Sequence, residues 1–532
     1  MAEWDRFVTL DLLRGVALCG ILLMNILTFA WPGGAYTNVA FPYYALDSIG
    51  PVEDPEKRER DGEEAQEEGE EKQEGDKQPE GDEQPEGDET ADAKKKKKAP
   101  SSLERERRTR AREREPLPAY PRGAVRLCAV SSDADRLEFV LADLLVDNKM
   151  RTLFSLLFGA GVLIMTGHAR ERGARAGWLH YRRMGWLVVI GALHGWLLWE
   201  GDILLPYAAV GLWLYPLRNR SARTLAVMGV VLLAGPAIGA AFAPQIVDWV
   251  GRRGAAVEAR FDGFLARADA DPEADIAAEI DADVGWVDRL FLRGHRSIRA
   301  QRRSGQRPEQ ATRAIREELE TGYLAGVAKR FWAMLGQQAG TLVFGFLALG
   351  WPMLLGMALF KNGFLTGAWS ARQYARWAAG WYAVGLPATW WALMTSLGGR
   401  GDLATRARVV LPLELFGCLA LTLAHAGALL WLWRSGRTGP IAARLEAAGR
   451  MALTNYLAQS LLCAILFSGF GLGLHGRVPR AGLVLVAASI WALELAWSPW
   501  WLARFRFGPV EWLWRSLTYW KWQPMRLPAG QA

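Results

Sequence analysis

Hydrophobic residues in this chain are gathered into long blocks rather than spread at the spacing of a soluble protein. A shorter apolar run, residues 203–217, lies among longer ones. Each longer block is long enough, or nearly so, to cross the ~30 Å hydrocarbon layer of a bilayer. These blocks are residues 15–31, 152–167, 184–199, 222–247, 331–360, 376–398, 407–433, 451–474 and 481–502. The pattern predicts an all-α polytopic membrane protein with about ten transmembrane helices.

Two long polar insertions interrupt the apolar blocks. Residues 50–135 contain EEAQEEGEEKQEGDKQPEGDEQPEGDE and then KKKKK, with too few aromatic and branched residues to bury a core. We therefore expect a disordered charged insertion there. Residues 250–325 differ, because FDGFLARA and VGWVDRLFL are amphipathic at helical spacing. They predict a small helical extracytoplasmic cap.

These features divide the chain into five regions. The first helix and its outer loop occupy residues 1–49, and the disordered insertion follows. Residues 136–249 hold helices 2–5 and precede the amphipathic loop. Residues 326–526 hold helices 6–10 and a cytoplasmic tail.

Basic residues favour one side of the predicted bundle. The short loops after the second and fourth helices contain HARERGARAGWLHYRR and RNRSAR. Cytoplasmic loops carry an excess of lysine and arginine, so both termini are predicted to be cytoplasmic in a bacterial inner membrane. The 26 tryptophans agree with a lipid bilayer as the main partner. The basic half of the insertion reads best as a solvated polyampholyte, and no nucleic acid partner is expected.

The cysteines and glycines carry no recognisable cofactor motif. Cys19, Cys418 and Cys463 lie in apolar blocks and Cys128 lies in a loop, with no CxxC or metal-ligand spacing. The sequence also has no GxSxG, Walker or dinucleotide-binding pattern. We expect no disulfide framework, no metal site and no tightly bound cofactor.

His194 and Asp202 stand near the end of an apolar block, in HGWLLWEGDIL. On one continuous helix they would share a face but lie about 12 Å apart. Gly201 allows the chain to turn there, so Asp202 either caps the next helix or folds back toward the imidazole. Imidazole can accept a proton near neutral pH. His194 is therefore a candidate catalytic base, with a hydrogen-bonded packing role as the alternative.

Asp11 and Arg14 begin the first apolar block, in TLDLLRG. Three residues apart, they meet on one helical face. One interpretation is an ion pair that sets the start of the helix. The other is an arginine placed to bind phosphate, the part of coenzyme A or a nucleotide that needs positive charge.

Four hydrogen-bonding side chains occupy two turns of a later apolar helix, in GRMALTNYLAQS. Asn455 and Gln459 share one face, while Tyr456 and Ser460 share the adjacent one. They predict either a polar lining for a substrate path or hydrogen bonds between helices. KMRTLFSLLFGAG, with Gly159 and Gly161, predicts a close helix contact.

Five blocks in this order resemble the YeiB-like family of bacterial inner-membrane proteins, a family of unknown function. They are RFVTLDLLRGVALCGILLMNI, KMRTLFSLLFGAG, HGWLLWEGDILLPYA, GRMALTNYLAQS and FGPVEWLWR. The resemblance covers nearly all the predicted helices and leaves out residues 50–135. It implies a polytopic inner-membrane protein.

The YeiB-like family is similar, more distantly, to transmembrane acyltransferases such as heparan glucosaminide acetyltransferase and the glycan O-acyltransferases. That similarity implies acyl transfer from cytosolic acyl-CoA to an extracytoplasmic glycan, with Asp11 and Arg14 in the shared LDxLRG-like start. In the glycan enzymes a histidine lies at the end of the first span, where this chain has Asn25. Asn25 cannot act as a base at neutral pH, so either His194 takes that role or this chain binds without acyl transfer.

Three functions remain open from the sequence. The first is an acyltransferase with His194 as base, Asp202 as its partner and Arg14 near the coenzyme phosphates. The second is a transporter or flippase for an amphiphile, lined by Asn25 and the polar residues near Asn455. The third is a non-catalytic membrane scaffold. The absence of a second copy of HGWLLWEGDIL disfavours the transporter, because many transporters contain repeated halves.

Overall fold

Helices account for most of the fold, which comes from a computed structural model. The structure describes residues 7–31, 42–44, 104, 107, 126–128, 132–171, 175–271, 275–304, 317–397 and 405–527. The predicted disordered insertion, residues 50–135, lies almost entirely outside the described residues. The all-α polytopic fold is confirmed.

Fifteen α-helices are described, and the apolar blocks of the sequence fall mostly within the longer ones. The fifteen helices are α1 (Val8–Ala30), α2 (Asp133–Leu145), α3 (Lys149–Glu171), α4 (Ala176–Leu197), α5 (Leu204–Leu217), α6 (Ala222–Ala270), α7 (Ile276–Asp283), α8 (Trp286–Ser304), α9 (Tyr323–Lys361), α10 (Ala371–Leu397), α11 (Leu411–Arg434), α12 (Gly439–Arg450), α13 (Ala452–Phe467), α14 (Arg480–Leu502) and α15 (Pro509–Tyr519). A π-helical turn, Arg406–Val410, precedes α11. Two short strands, Pro42–Tyr44 and Arg126–Cys128, form a two-stranded sheet.

Five helical segments among the described residues are long and apolar enough to cross a membrane. They are Val8–Ala30, Asp133–Ala169, Ala222–Ala270, Arg406–Arg434 and Arg480–Leu502. The bent pair α12 and α13 makes a sixth if it counts as one span. The predicted total of about ten is reached only if α4, α5, α9 and α10 also cross. Of these, α5 is short, with 14 residues.

Close glycine contacts bring the main helices together. A β-carbon at Gly15 of α1 would lie 2.0 Å from the carbonyl oxygen of Leu445, and one at Gly449 of α12 would lie 1.9 Å from that of Asp11. The two backbones therefore touch, as small residues permit in membrane helices. This contact fixes the start of α1, where Asp11 and Arg14 lie, against α12.

Gly159 performs the same role for α3 and α9. A β-carbon there would lie 2.0 Å from the carbonyl oxygen of Met353, and one at Gly356 would lie 1.9 Å from that of Leu156. The close helix contact expected from the FGAG segment is therefore present. It places α3 in the centre of an apolar core that includes Leu153.

The chain divides into two compact units. The first contains residues 1–43, 127–247 and 306–532, which include most of the helices and the candidate site. The second contains residues 44–126 and 248–305. Its apolar core joins the C-terminal part of α6 to α7 and α8 through Val257, Phe261, Phe264, Ala268, Ile276, Ile280, Val284 and Leu292.

A sharp break separates α12 from α13. The two helices are bent by 85° at Met451. A helix start leaves backbone N–H groups without partners inside the helix. Glu511 of α15 supplies the acceptor, since its carboxylate accepts from the backbone nitrogens of Leu453 at 2.7 Å and Thr454 at 3.0 Å and from the Thr454 hydroxyl.

Candidate functional site

His194 and Asp202 are in direct contact. His194 Nδ1 lies 2.8 Å from Asp202 Oδ1, and both side chains are 1% exposed. The contact forms because α4 ends at Leu197 and the chain reverses before α5 begins at Leu204. The turn that Gly201 allows therefore brings the carboxylate back to the imidazole.

Asp202 also caps the N-terminus of α5. Its Oδ1 accepts from the backbone nitrogen of Leu204 at 3.1 Å, and its Oδ2 accepts from that of Leu205 at 2.8 Å. These two bonds satisfy backbone N–H groups that a helix start leaves without partners inside the helix. The alternatives left open by the sequence, capping and folding back, are both realised by one side chain.

Nε2 of His194 is the free end of this pair. It is buried and has no hydrogen-bond partner among the described residues. Since a carboxylate only accepts hydrogen bonds, Nδ1 of a neutral imidazole must donate to Asp202. We assign the tautomer from this bond: Nε2 carries the lone pair and is able to accept a proton.

Tyr456 of α13 packs beside the His194 imidazole. Its ring centroid lies 5.1 Å from that of His194, and its hydroxyl oxygen accepts from the backbone nitrogen of Ile203 at 3.3 Å. The second contact ties α13 to the turn that carries Asp202. Tyr456 thus holds the helix that faces His194 in register with the turn.

The end of α1 closes the same region. Phe29 stacks on Trp199 with centroids 4.6 Å apart, so the C-terminal ends of α1 and α4 lie together. Gln338 of α9 is buried next to Gly195, and its amide nitrogen has no hydrogen-bond partner among the described residues. A polar group of a substrate would satisfy such a donor.

Asp11 and Arg14 form the expected pair at the other end of α1. Arg14 Nη1 donates to Asp11 Oδ1 at 2.9 Å. The guanidinium is also close to Gly161 of α3, where a β-carbon would lie 3.5 Å from Nη2. The Arg14 side chain remains 27% exposed, and the Asp11 side chain 11%.

Further positive charge collects near Arg14. Arg183 of α4 has both Arg14 and Arg515 as electrostatic neighbours. Its guanidinium carbon lies 4.0 Å from the centroid of the Trp514 ring, and the Trp514 indole N–H donates to the Arg183 carbonyl oxygen at 3.0 Å. We call Arg14, Arg183 and Arg515 the arginine cluster.

The arginine cluster and the histidine lie on one helix at different depths. His194 follows Arg183 by eleven residues of α4, a rise of about 16 Å. The structure therefore presents positive charge at one end of α4 and an imidazole toward the other.

The remaining predicted residues divide between two helix faces. Asn455 Nδ2 donates to Ser498 Oγ of α14 at 3.1 Å, and Gln459 Nε2 donates to Glu494 Oε2 at 3.0 Å. These two residues join α13 to α14. Ser460 bonds within its own helix, since its hydroxyl donates to the Tyr456 carbonyl oxygen at 3.2 Å.

Asn25 lies on the last part of α1 and is half-buried. Its backbone makes one contact with a side chain, since the Thr28 hydroxyl donates to the Asn25 carbonyl oxygen at 2.7 Å. The part of the chain that the structure describes gives it no hydrogen bond to His194.

Sequence reasoning missed three polar residues of the bundle: Glu494, Gln338 and Arg183. Glu494 had a clear signal, as a single acidic residue within WALELAW, where charge in lipid is expensive. Gln338 and Arg183 had none, because each stands near other polar residues. Their importance comes from helices distant in sequence.

Residues 359–521 match the family described as protein of unknown function (DUF418). The chain is 27% identical to the uncharacterised protein YeiB of Escherichia coli (strain K12), over 97% of this chain and 96% of that protein. It is 29% identical to the uncharacterised protein YxaH of Bacillus subtilis (strain 168), over 74% of this chain and 85% of that protein. No solved structure matches.

These matches cover the helices that form the site. The DUF418 match includes α10 to α15, which supply Tyr456, Gln459 and Glu511. The YeiB match extends across the chain to α1 and α4. The predicted resemblance to the YeiB-like family of uncharacterised proteins is confirmed.

Proposed function

We propose that this protein is a membrane acyltransferase that moves an acyl group from acyl-CoA to a hydroxyl of an extracytoplasmic glycan or related envelope acceptor. One observation carries the proposal: His194 is oriented by Asp202 at 2.8 Å and keeps Nε2 buried and free. A base held by a carboxylate is the arrangement that activates hydroxyl nucleophiles.

The proposed reaction needs one base acting twice. Nε2 of His194 accepts the proton of the acceptor hydroxyl while the oxygen attacks the thioester carbonyl. The carbon–sulfur bond breaks, coenzyme A leaves as the thiolate, and the imidazolium returns the proton to sulfur. Asp202 stabilises the imidazolium and fixes its tautomer.

The arginine cluster fits the other end of the donor. Arginine binds phosphate through paired, charge-assisted hydrogen bonds. Coenzyme A carries its phosphates and its thioester at opposite ends of a long flexible arm. The separation of Arg183 from His194 along α4 suits a donor that enters at the cluster and reacts at the histidine.

Labelled acetyl-CoA tests the proposal. Membranes with wild-type protein should transfer label to the cell-envelope fraction, and His194→Ala should abolish the transfer. His194→Asn is the sharper variant, because its amide can replace Nδ1 toward Asp202 but cannot act as a base.

His180 gives a matched control on the same helix. It is fully buried, and its Nε2 lies 2.8 Å from the Gly211 carbonyl oxygen. His180→Gln can keep that bond and should retain transfer. Activity in His194→Asn equal to wild type would remove the proposed base. Absence of transfer by wild type, across acyl donors and envelope acceptors, would favour transport or a scaffold instead.

A further inference from the structure

Glu494 is a carboxyl buried in the middle of α14. It is 3% exposed and lies within Arg480–Leu502, one of the segments apolar enough to cross a membrane. Gln459 Nε2 donates to its Oε2 at 3.0 Å. Its Oε1 is buried without a hydrogen-bond partner among the described residues.

The groups around Glu494 offer no positive charge. Cys19 of α1 and Cys463 of α13 are its titratable neighbours, and Gln459 is neutral. An ionised carboxylate without a counter-charge is strongly disfavoured in an apolar interior, so the group holds a proton instead.

Glu511 is a partly buried carboxyl in the same protein, and it receives more hydrogen bonds than Glu494. Three donors from Leu453 and Thr454 surround it at the start of α13. They offset part of the cost of burying a negative charge, while burial raises the pKa of Glu511. Glu494 receives one hydrogen bond, from a neutral amide. The two carboxyls therefore differ in the number of their hydrogen-bond donors, although neither is exposed.

Two hydrogen-bonded rungs connect α13 and α14 around Glu494. One joins Gln459 to Glu494, and the next, one turn along, joins Asn455 to Ser498. We call these four residues the polar ladder. Asn455 Nδ2 also donates to the carbonyl oxygen of Ala448 at 3.2 Å. The second rung therefore lies between Glu494 and the break that separates α12 from α13.

We propose that Glu494 is an intramembrane proton-binding site that exchanges its proton along the polar ladder toward the break between α12 and α13. The inference does not depend on acyl transfer. A metal ion is a poorer occupant, because a hard cation requires several oxygen ligands. No group of three or more His, Cys, Asp or Glu side chains suited to a metal occurs among the described residues.

Infrared spectroscopy of the full-length protein in lipid tests the protonation. The difference between wild type and Glu494→Gln at neutral pH should contain the carbonyl stretch of a protonated carboxylic acid. The glutamine is nearly isosteric and preserves a partner for Gln459, so the bundle should remain folded. Ionised carboxylate bands in that difference spectrum would overturn the proposal.

The rate of hydrogen–deuterium exchange tests the route. After transfer to heavy water, the Glu494 carbonyl band should shift several-fold more slowly in Ser498→Ala than in wild type. Ser489→Ala is the matched control, because Ser489 lies on the same helix, is exposed and donates to the carbonyl oxygen of Leu485 within its own helix. An unchanged rate in Ser498→Ala would exclude the ladder as the path.

Carbodiimide labelling gives an independent readout. A hydrophobic carbodiimide reacts with protonated carboxyls within the membrane, and peptide mapping should locate the adduct on Glu494. Glu511, which three donors surround, should react less than Glu494. Reaction at Glu511 with none at Glu494 would contradict the assigned protonation states.

Discussion

Gly191 of α4 lies directly against the backbone nitrogen of Leu205 at the start of α5. A β-carbon at Gly191 would be 2.3 Å from that nitrogen and 2.9 Å from Asp202 Oδ2. Any side chain there must push α5 away from α4. The distance between His194 and Asp202 therefore depends on the absence of a side chain at Gly191.

We expect Gly191→Ala to lower the free energy of unfolding by about 1–3 kcal/mol and to reduce transfer more than substrate binding. Thermal unfolding in detergent and the labelled-donor assay would measure the two effects. Gly185→Ala on the same helix is the control, since nothing lies within 4 Å of its β-carbon position. Equal stability of the two variants would contradict the crowding argument.

Asp202→Asn should separate helix capping from catalysis. Asparagine caps helices as well as aspartate does, so unfolding should change little. Its amide would favour the wrong tautomer of His194, and transfer should fall by a factor on the order of 10³–10⁴, as in other histidine–carboxylate pairs.

The control for Asp202→Asn is Asp275→Asn. Asp275 caps α7 by accepting from the backbone nitrogen of Ala278 at 3.1 Å. The substitution Asp275→Asn makes the same chemical change at a helix cap that has no histidine beside it. Full activity of Asp202→Asn would show that the carboxylate serves α5 alone.

Tyr456→Phe removes the acceptor for the Ile203 N–H. A buried donor left without a partner costs about 1–3 kcal/mol, and the turn bearing Asp202 should loosen. Tyr181→Phe is the comparison on α4, because Tyr181 is 40% exposed. Denaturation curves that coincide for the two variants would argue against a role for the Tyr456 hydroxyl.

Arg14→Gln should weaken binding of coenzyme A by about 1.5–3 kcal/mol, the usual size of a charged hydrogen bond. Titration calorimetry with desacetyl coenzyme A would measure it without turnover. Asp11→Asn is the informative partner variant, because it removes the competing carboxylate and leaves Arg14 in place. Its affinity should equal or exceed that of wild type. Weaker binding in Asp11→Asn would favour a purely structural ion pair.

Arg480→Met should destabilise the protein by about 3–5 kcal/mol, because it leaves Glu138 buried without its charge partner. The Arg480 Nε and Glu138 Oε2 atoms lie 2.8 Å apart, and the two side chains are 1% and 9% exposed. Adding Glu138→Gln should recover much of the loss. Failure of the second change to recover stability would place the role of Arg480 in its contact with Phe139.

Local patterns were sufficient to predict where the helices lie. The block at residues 15–31 became α1, and the alternation of faces at Asn455, Tyr456 and Gln459 became contacts in different directions. Both follow from the helical repeat alone. The predicted block began at residue 15, whereas α1 begins at Val8. Asp11 and Arg14 interrupted the apolar run in the sequence, although they form a pair within the helix.

Contacts between distant segments could not be predicted in the same way. Spacing on one helix placed His194 and Asp202 about 12 Å apart, but a turn between two helices brings them together. Glu494 finds Gln459 across 35 residues. Such pairs depend on which helices become neighbours, and a single apolar sequence offers many equivalent choices.

The cap that Glu511 provides has a consequence for the order in which the chain is made. Ribosomes release α13 well before α15, since Glu511 follows Thr454 by 57 residues. During that interval the first amides of α13 lack this acceptor. The cap on α13 therefore forms only after the C-terminal region has been made, and a chain truncated before Glu511 would lack it.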